Sequence, residues 1–325
     1  VWQHDFPNYR DAYVVFANNT EAINNPRTVL VHPDSDALHQ LSHLLRGLVP
    51  KRKDINERRT LVIAGQDTGL GGNVQYRIHR YLLDYFSDIW CTAKDRHDPF
   101  VQTIPLGLNP FYLVQAGLHQ VTSMLQESSY DHKNRKLVFT AWGSVWGHLD
   151  DTLKDRISLV EFLRQPSTQM WLNRSDFSML EYWQQLSAHK YSICPPGNGV
   201  QTPKIFEAIL THTVPVTLRR PAFQDLYDLG LPILLLDDWN DLNEALLTRA
   251  YQDNYQHTDW EKAKAMFSTQ GIMELLLMWT ETTIPRASDS RIKTSLKVLG
   301  LPVLKEKPKG MVMSKRKDVS MTTMR

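Results

Sequence analysis

Residues 191–216 read YSICPPGNGVQTPKIFEAILTHTVPV. The run Tyr191-Ser192-Ile193-Cys194 has strand character and enters a turn built from Pro-Pro-Gly-Asn-Gly. Thr202-Pro203 then opens a helix, with the threonine placed as N-cap and the proline at the first helical position, where its missing N–H does no harm. Val214-Pro215-Val216-Thr217 follows as the next strand. Strand, tight turn, helix and strand in this order form the repeating unit of parallel α/β sheets.

The same alternation extends in both directions. Upstream, Tyr13–Phe16, Thr28–Val31, Thr60–Ala64, Asp88–Cys91 and Val101–Ile104 read as strands, with helices predicted over 35–48, 74–86 and 110–127. The polar stretch SSYDHKNRK (128–136) breaks the pattern and is the expected domain boundary. Beyond it, Leu137–Thr140, Tyr191–Cys194, Val214–Thr217 and Ile233–Leu236 are predicted strands. Helices are predicted over 151–164, 176–188, from Pro203, over 240–251 and over 259–279. The expected architecture is α/β, with two Rossmann-like lobes facing a cleft. Residues 1–130 form one lobe, 131–285 the other, and 286–325 a terminal helix and basic tail.

Composition narrows the function classes. With 42% apolar and 22% charged residues the chain is globular in type. No apolar run approaches the ~20 residues of a membrane-spanning helix. It opens at Val1 with VWQHDFPNYR, which has no signal-peptide pattern, so an upstream anchor, signal or further domain is left open. The net charge is +2, and Lys305, Lys307, Lys309, Lys315, Arg316, Lys317 and Arg325 crowd into a tail without apolar periodicity. Such a tail reads as a solvated end. No basic stripe interleaved with aromatics runs through the body, so nucleic acid is not an expected partner. Cys91 and Cys194 permit at most one bridge. Asn18-Asn19-Thr20 and Asn173-Arg174-Ser175 are glycosylation sequons.

The turn at 195–199 carries the chemistry. Gly197 and Gly199 lack a Cβ and let backbone bend and approach a ligand. The helix start beyond them presents unpaired N–H groups and partial positive charge, which suit a diphosphate. Lys204 adds a full charge, and Glu207, three residues on, lies on the same helix face, placed to accept ribose hydroxyls. The plainer reading is a capped helix with a Lys204–Glu207 surface pair.

These elements resemble the donor-binding half of exostosin-like glycosyltransferases. The matching features are Cys194-Pro195, the turn Gly197-Asn198-Gly199, Glu207-Ala208, Val214-Pro215-Val216, and then Tyr227, Leu231-Pro232 and Asp238-Trp239. Ile104-Pro105-Leu106-Gly107-Leu108 resembles the linker that opens the second lobe in such enzymes. The similarity runs from about Leu137 to Trp239 and is weak before Thr60. It implies a GT-B fold and a nucleotide-linked sugar as co-substrate, a UDP-sugar being the expected donor. It further implies a glycan or glycoprotein acceptor, inverting transfer without cofactor or metal, and a Golgi lumen setting behind an upstream anchor. It places Asn198 in the donor turn and Arg156 near the donor phosphates, where the plainer reading is a solvated arginine flanked by Asp151 and Asp155. Lys204 stands where many relatives carry arginine, which removes the bidentate phosphate grip. Trp142 and Trp146 are candidates for stacking on sugar or base.

A transferase needs a base near the acceptor hydroxyl. Asp67 follows the strand Thr60–Ala64 at its cleft-facing end and is the candidate, against the plainer role of a turn-forming aspartate. Asp34-Ser35-Asp36 has the form of a metal-holding acidic pair but reads equally well as a helix start. Gly69-Leu70-Gly71-Gly72 invites a dinucleotide reading, yet Val74 occupies the third glycine's place, leaving an NAD-dependent oxidoreductase as an alternative. His39 and His43 have helical zinc spacing, but Gln40 stands where the catalytic glutamate belongs. A non-catalytic nucleotide-sugar-binding protein is the remaining alternative.

Overall fold

The computed structural model describes residues 12–16, 28–32, 60–63, 82–98, 101–127, 135–141, 150–168, 172–174, 177–197, 199–268 and 270–272. Among the described residues ten strands fall into two five-stranded sheets in which every pairing is parallel. Both sheets lie within one unit, Val1–Leu277. The expected α/β class with two Rossmann-like sheets is what the chain adopts.

The first sheet runs β1 (Ala12–Phe16), β2 (Thr28–His32), β3 (Thr60–Ile63), β4 (Asp88–Cys91) and β5 (Val101–Thr103), adjacent in that order. All four residues of β3 are buried, as a central parallel strand covered on both faces requires. The second sheet contains β6 (Lys136–Thr140), β7 (Leu172–Arg174), β8 (His189–Ile193), β9 (Val214–Leu218) and β10 (Leu234–Leu236), in the spatial order β10-β9-β8-β6-β7. The chain goes from β6 to β7 on one side, then crosses back to lay β8 on the other. The strand order therefore reverses between β6 and β8. In open parallel sheets such a reversal leaves a crevice beyond the strands' C-terminal ends, because the connections diverge to opposite faces.

Eight α-helices are described: α1 (Pro110–Ala116), α2 (Leu118–Glu127), α3 (Asp150–Leu163), α4 (Met179–Ser187), α5 (Pro203–Leu210), α6 (Pro221–Asp228), α7 (Glu244–Ala250) and α8 (Trp260–Met266). The single helix expected over 110–127 is two, divided at Gly117, whose φ of 85° no right-handed helix accommodates. Both pieces pack on α4, and Ala116 and Val121 join the second sheet's core, although they precede the polar break at 128–136. The helix expected over 240–251 is shorter at its start: a single 3₁₀ turn over Trp239–Asp241 comes first, and a π-helical segment over Tyr251–Tyr255 continues α7. The short helix α6 and strand β7 had no counterpart in the sequence reading. The helix predicted over 35–48, most of that over 74–86 and the last seven positions of that over 259–279 lie outside the described residues, as does the tail 286–325.

Arg135 ties the second sheet's far end together. Its buried guanidinium donates to the carbonyls of His212, Leu186 and Thr211 and, at 2.6 Å, to the Thr213 hydroxyl. These are carbonyls at the ends of α4 and α5, which helix geometry leaves without internal partners. Both cysteines are buried and neither is in a disulfide, so the bridge left open above is not formed.

The two sheets touch through the residues that follow β8 and β9. Val200 and Ala222 belong to the first sheet's apolar cluster, with Leu61, Ile63, Phe86 and Ile89. Asp225 of α6 accepts from Lys94 at 2.7 Å and from the Thr103 hydroxyl at 2.6 Å. No helix among the described residues is long and apolar enough to cross a membrane.

Candidate functional site

β8 delivers the chain to the switch point of the second sheet, and Cys194–Gly197 leave its C-terminal end there. Of the turn residues singled out, Gly197 is half-buried and Gly199 buried; Asn198 lies outside the described residues. Gly197 does not have the positive φ that makes glycine obligatory. A Cβ built on it would meet the Gln201 carbonyl oxygen at 3.4 Å, an ordinary contact. Its backbone conformation is therefore one that other residues also adopt. A side chain here would rest in contact with the backbone of Gly199 and Gln201 and with Thr202.

α5 begins as the sequence foretold, with Thr202 extended at the N-cap (φ −131°, ψ 135°) and Pro203 in the first turn. The threonine side chain makes no capping hydrogen bond. The helix start is thus left without its usual internal acceptor, a state that favours an external anion.

Lys204 and Glu207 do share one side of α5, but they are not a surface pair. Glu207 is 1% exposed. Its Oε2 accepts from the Tyr182 hydroxyl at 2.8 Å, while Oε1 is buried with no hydrogen-bond partner among the described residues. Burial pushes the carboxyl up from the usual glutamate range, opposed by the Lys204 charge and the Tyr182 hydroxyl. The Lys204 ammonium lies 4.5 Å from the centroid of the Tyr182 ring. Burial pushes it down from the usual lysine range. Glu207 and the Cys194 thiol oppose that shift, and the positive charge of Arg156 adds to it. The Cys194 thiol is itself pushed up to about 12 by burial, which keeps it protonated and unreactive.

Arg156 comes from α3, the helix that follows β6 across the same reversal. Its Nε donates to the Pro196 carbonyl at 2.8 Å, which fixes it beside Gly197, and partial burial lowers its pKa. The solvated arginine of the plainer reading is not what the structure holds. Its neighbour Asp155 is buried, forms a two-pronged pair with Arg220, and offers its carbonyl to the Trp239 indole N–H at 3.0 Å. Asp238-Trp239 therefore buttresses the helix that carries Arg156.

Two cations from different helices and an uncapped helix start thus gather at one turn, with the buried Glu207 carboxylate close behind Lys204. Sequence reasoning missed Tyr182, which touches both Lys204 and Glu207, and Gln201, which anchors the turn from behind. Tyr182 carries no signal beyond that of a core aromatic in an amphipathic helix. Gln201, a polar residue between a glycine turn and an N-cap, was open to notice. Asp67, Asp34, Asp36, Gly69–Gly72, His39, His43, Trp142 and Trp146 all lie outside the described residues. Among the described residues no group of His, Cys, Asp and Glu is arranged to hold a metal ion.

Fold and site together define an α/β chain with an anion-suited turn at a sheet reversal. Neither a protein-family model nor a curated protein matches it. Solved structures do. Anabaena HepE in complex with UDP is 14% identical, with a TM-score of 0.41 over 79% of this chain and 78% of that one. Methanocaldococcus jannaschii UDP-GlcNAc 2-epimerase, with UDP-GlcNAc and UDP, is 13% identical, with a TM-score of 0.34 over 78% and 75%. The UDP-forming trehalose-phosphate synthase of Burkholderia vietnamiensis is 12% identical, with a TM-score of 0.36 over 78% and 68%. Likenesses at these identities and scores assign no donor, acceptor or residue role to this chain.

Proposed function

We propose that the chain is a glycosyltransferase of the exostosin-like, GT-B type that takes its sugar from a UDP-linked donor. The observation that carries this reading is the pairing of Lys204 with Arg156 beside the Gly197 turn. Each is drawn out of water, and Arg156 raises the energy of the Lys204 charge. Two partly desolvated cations that repel one another are stabilised by an anion placed between them, and a diphosphate has the charge and reach to do so. The uncapped start of α5 adds N–H donors on the same side.

In the transfer, an acceptor hydroxyl oxygen bonds to the donor's anomeric carbon as the bond from that carbon to the diphosphate oxygen breaks. Negative charge builds on the departing UDP, and Lys204, Arg156 and the helix start offset it there. Glu207 is the ribose candidate on the resemblance; its carboxylate is buried, with Tyr182 holding Oε2, so a ribose hydroxyl reaches Oε1 only by displacing the side chains that cover it. The hydroxyl proton passes to a general base, for which Asp67 remains the candidate on the resemblance alone. The proposal includes transfer without a resident metal, to a glycan or glycoprotein, in the Golgi lumen.

A thermal-shift screen of nucleotide sugars tests the donor. A ligand specific to the native state raises the melting temperature, and the UDP series is expected to do so. UDP release from the stabilising donor in EDTA then tests metal-free transfer. If no nucleotide or nucleotide sugar stabilises the chain, the reading is wrong. Asp67→Asn is expected to lower kcat with donor binding intact; unchanged turnover removes Asp67 from the mechanism.

A further inference from the structure

Gln201 sits between Gly199 and the N-cap of α5 and is 5% exposed. Its side-chain amide points away from its own sheet. Nε2 donates to the Thr92 carbonyl at 2.7 Å and to the Ile104 carbonyl at 2.9 Å, and Oε1 accepts from the Leu106 N–H at 3.0 Å. Thr92 follows β4, and Ile104 and Leu106 follow β5, so one side chain fills three backbone hydrogen-bonding groups at the C-terminal edge of the first sheet. Both amide hydrogens are used. Val200, its neighbour, is buried in the first sheet's apolar cluster. Gly199 immediately precedes these two residues in the chain.

We infer that Gln201 is a positioning residue that fixes the backbone at Gly199 and the start of α5 to the ends of β4 and β5, so that the diphosphate site takes its shape from the first sheet as well as the second. The inference rests on the function proposed above. It differs from a general packing role because the sheets have a second, separate link in Asp225 with Lys94 and Thr103. Loss of Gln201 frees the turn while that link still holds the sheets together.

Coupling between two sites is reciprocal: if the Gln201 bonds favour the ligand-ready turn, a ligand on the turn must strengthen those bonds by the same factor. The test uses the full chain and UDP as the probe. Calorimetric titration gives affinity, and hydrogen exchange gives the opening of the Leu106 amide with and without UDP. In the wild type, UDP is expected to slow Leu106 exchange about tenfold or more. Gln201→Ala is expected to bind UDP at least about tenfold more weakly, with no UDP-dependent change at Leu106, whereas Thr103→Val, which weakens only the other link, binds as the wild type does. The inference is overturned if UDP binds the wild type yet leaves Leu106 exchange unchanged, a readout that needs no variant. Equal affinity for wild type and Gln201→Ala overturns it as well. Absence of UDP binding to the wild type overturns the proposed donor, and this inference with it.

Discussion

The two sheets are assembled from the same parts, five parallel strands each, and differ in the order in which those strands are laid down. In the first the chain steps in one direction from β1 to β5. In the second it turns back between β6 and β8, and the groups suited to an anion gather at that reversal. Arg156 arrives from the helix after β6, while Gly197, Lys204 and Glu207 follow β8. The first sheet contributes what lies behind the site: the carbonyls and the N–H that hold Gln201, and the pair Lys94 and Thr103 that holds Asp225. Strand order, more than strand content, decides which half of the molecule offers a binding crevice.

The comparison breaks most readily at Lys204. Replacing it by Met keeps the length of the side chain and removes the charge, and UDP affinity is expected to fall by about a hundredfold, the usual worth of a charged hydrogen bond to phosphate. An equal loss on removing an exposed first-sheet cation such as Arg96 would mean that binding does not distinguish the two sheets.

Acid should also separate them. His189, which begins β8, is fully buried, and its Nδ1–H donates to the Gln185 carbonyl at 2.6 Å. Burial holds its pKa at about 4. The unfolded chain takes up this proton near pH 6.5 and the folded chain only near 4, so the unfolded state gains relative to the native one as pH falls through that window. The loss amounts to roughly 3 kcal/mol by pH 4 and is absent above pH 7. Hydrogen exchange should show β8 and its neighbours opening before β3 and β4 as pH drops from 6.5 to 4, with the difference much reduced in His189→Phe. Simultaneous opening of both sheets in the wild type would contradict the assignment.

A smaller effect is expected at Glu207. Its raised pKa means that ionisation costs folding free energy as pH rises above the unfolded value near 4.5. Glu207→Gln is therefore expected to melt at a higher temperature than the wild type at pH 8 and to bind UDP about tenfold more weakly. Tyr182→Phe keeps the ring over Lys204 and removes only the hydroxyl, so a loss of a few fold is expected.

Much of this was legible in the sequence, and the exceptions have physical reasons. β-branched and apolar runs such as Thr60–Ile63 and Val214–Leu218 declare themselves as buried parallel strands. The spacing of Lys204 and Glu207 by itself places them on one side of α5. Their burial was not legible, because it depends on Tyr182, 25 residues upstream of Glu207, folding over both. Gly117 divides a predicted helix because one residue's φ outweighs an unbroken apolar pattern. α6 escaped notice because PAFQDLYD is too short to establish a helical period. The reversal at β6 and β8 was hidden for a different reason: strand runs give the number and direction of strands, and nothing in them records the side to which a crossover returns.

The central claim is that Gly197 serves a ligand and not the fold. Calorimetric titration of UDP into the wild type and Gly197→Ala, with both melting temperatures recorded, tests it most directly. The added methyl meets nothing closer than 3.4 Å among the described residues, so the account predicts a melting temperature within a few degrees of wild type and UDP binding weakened by about tenfold or more. Unchanged UDP affinity in a folded Gly197→Ala variant would contradict it.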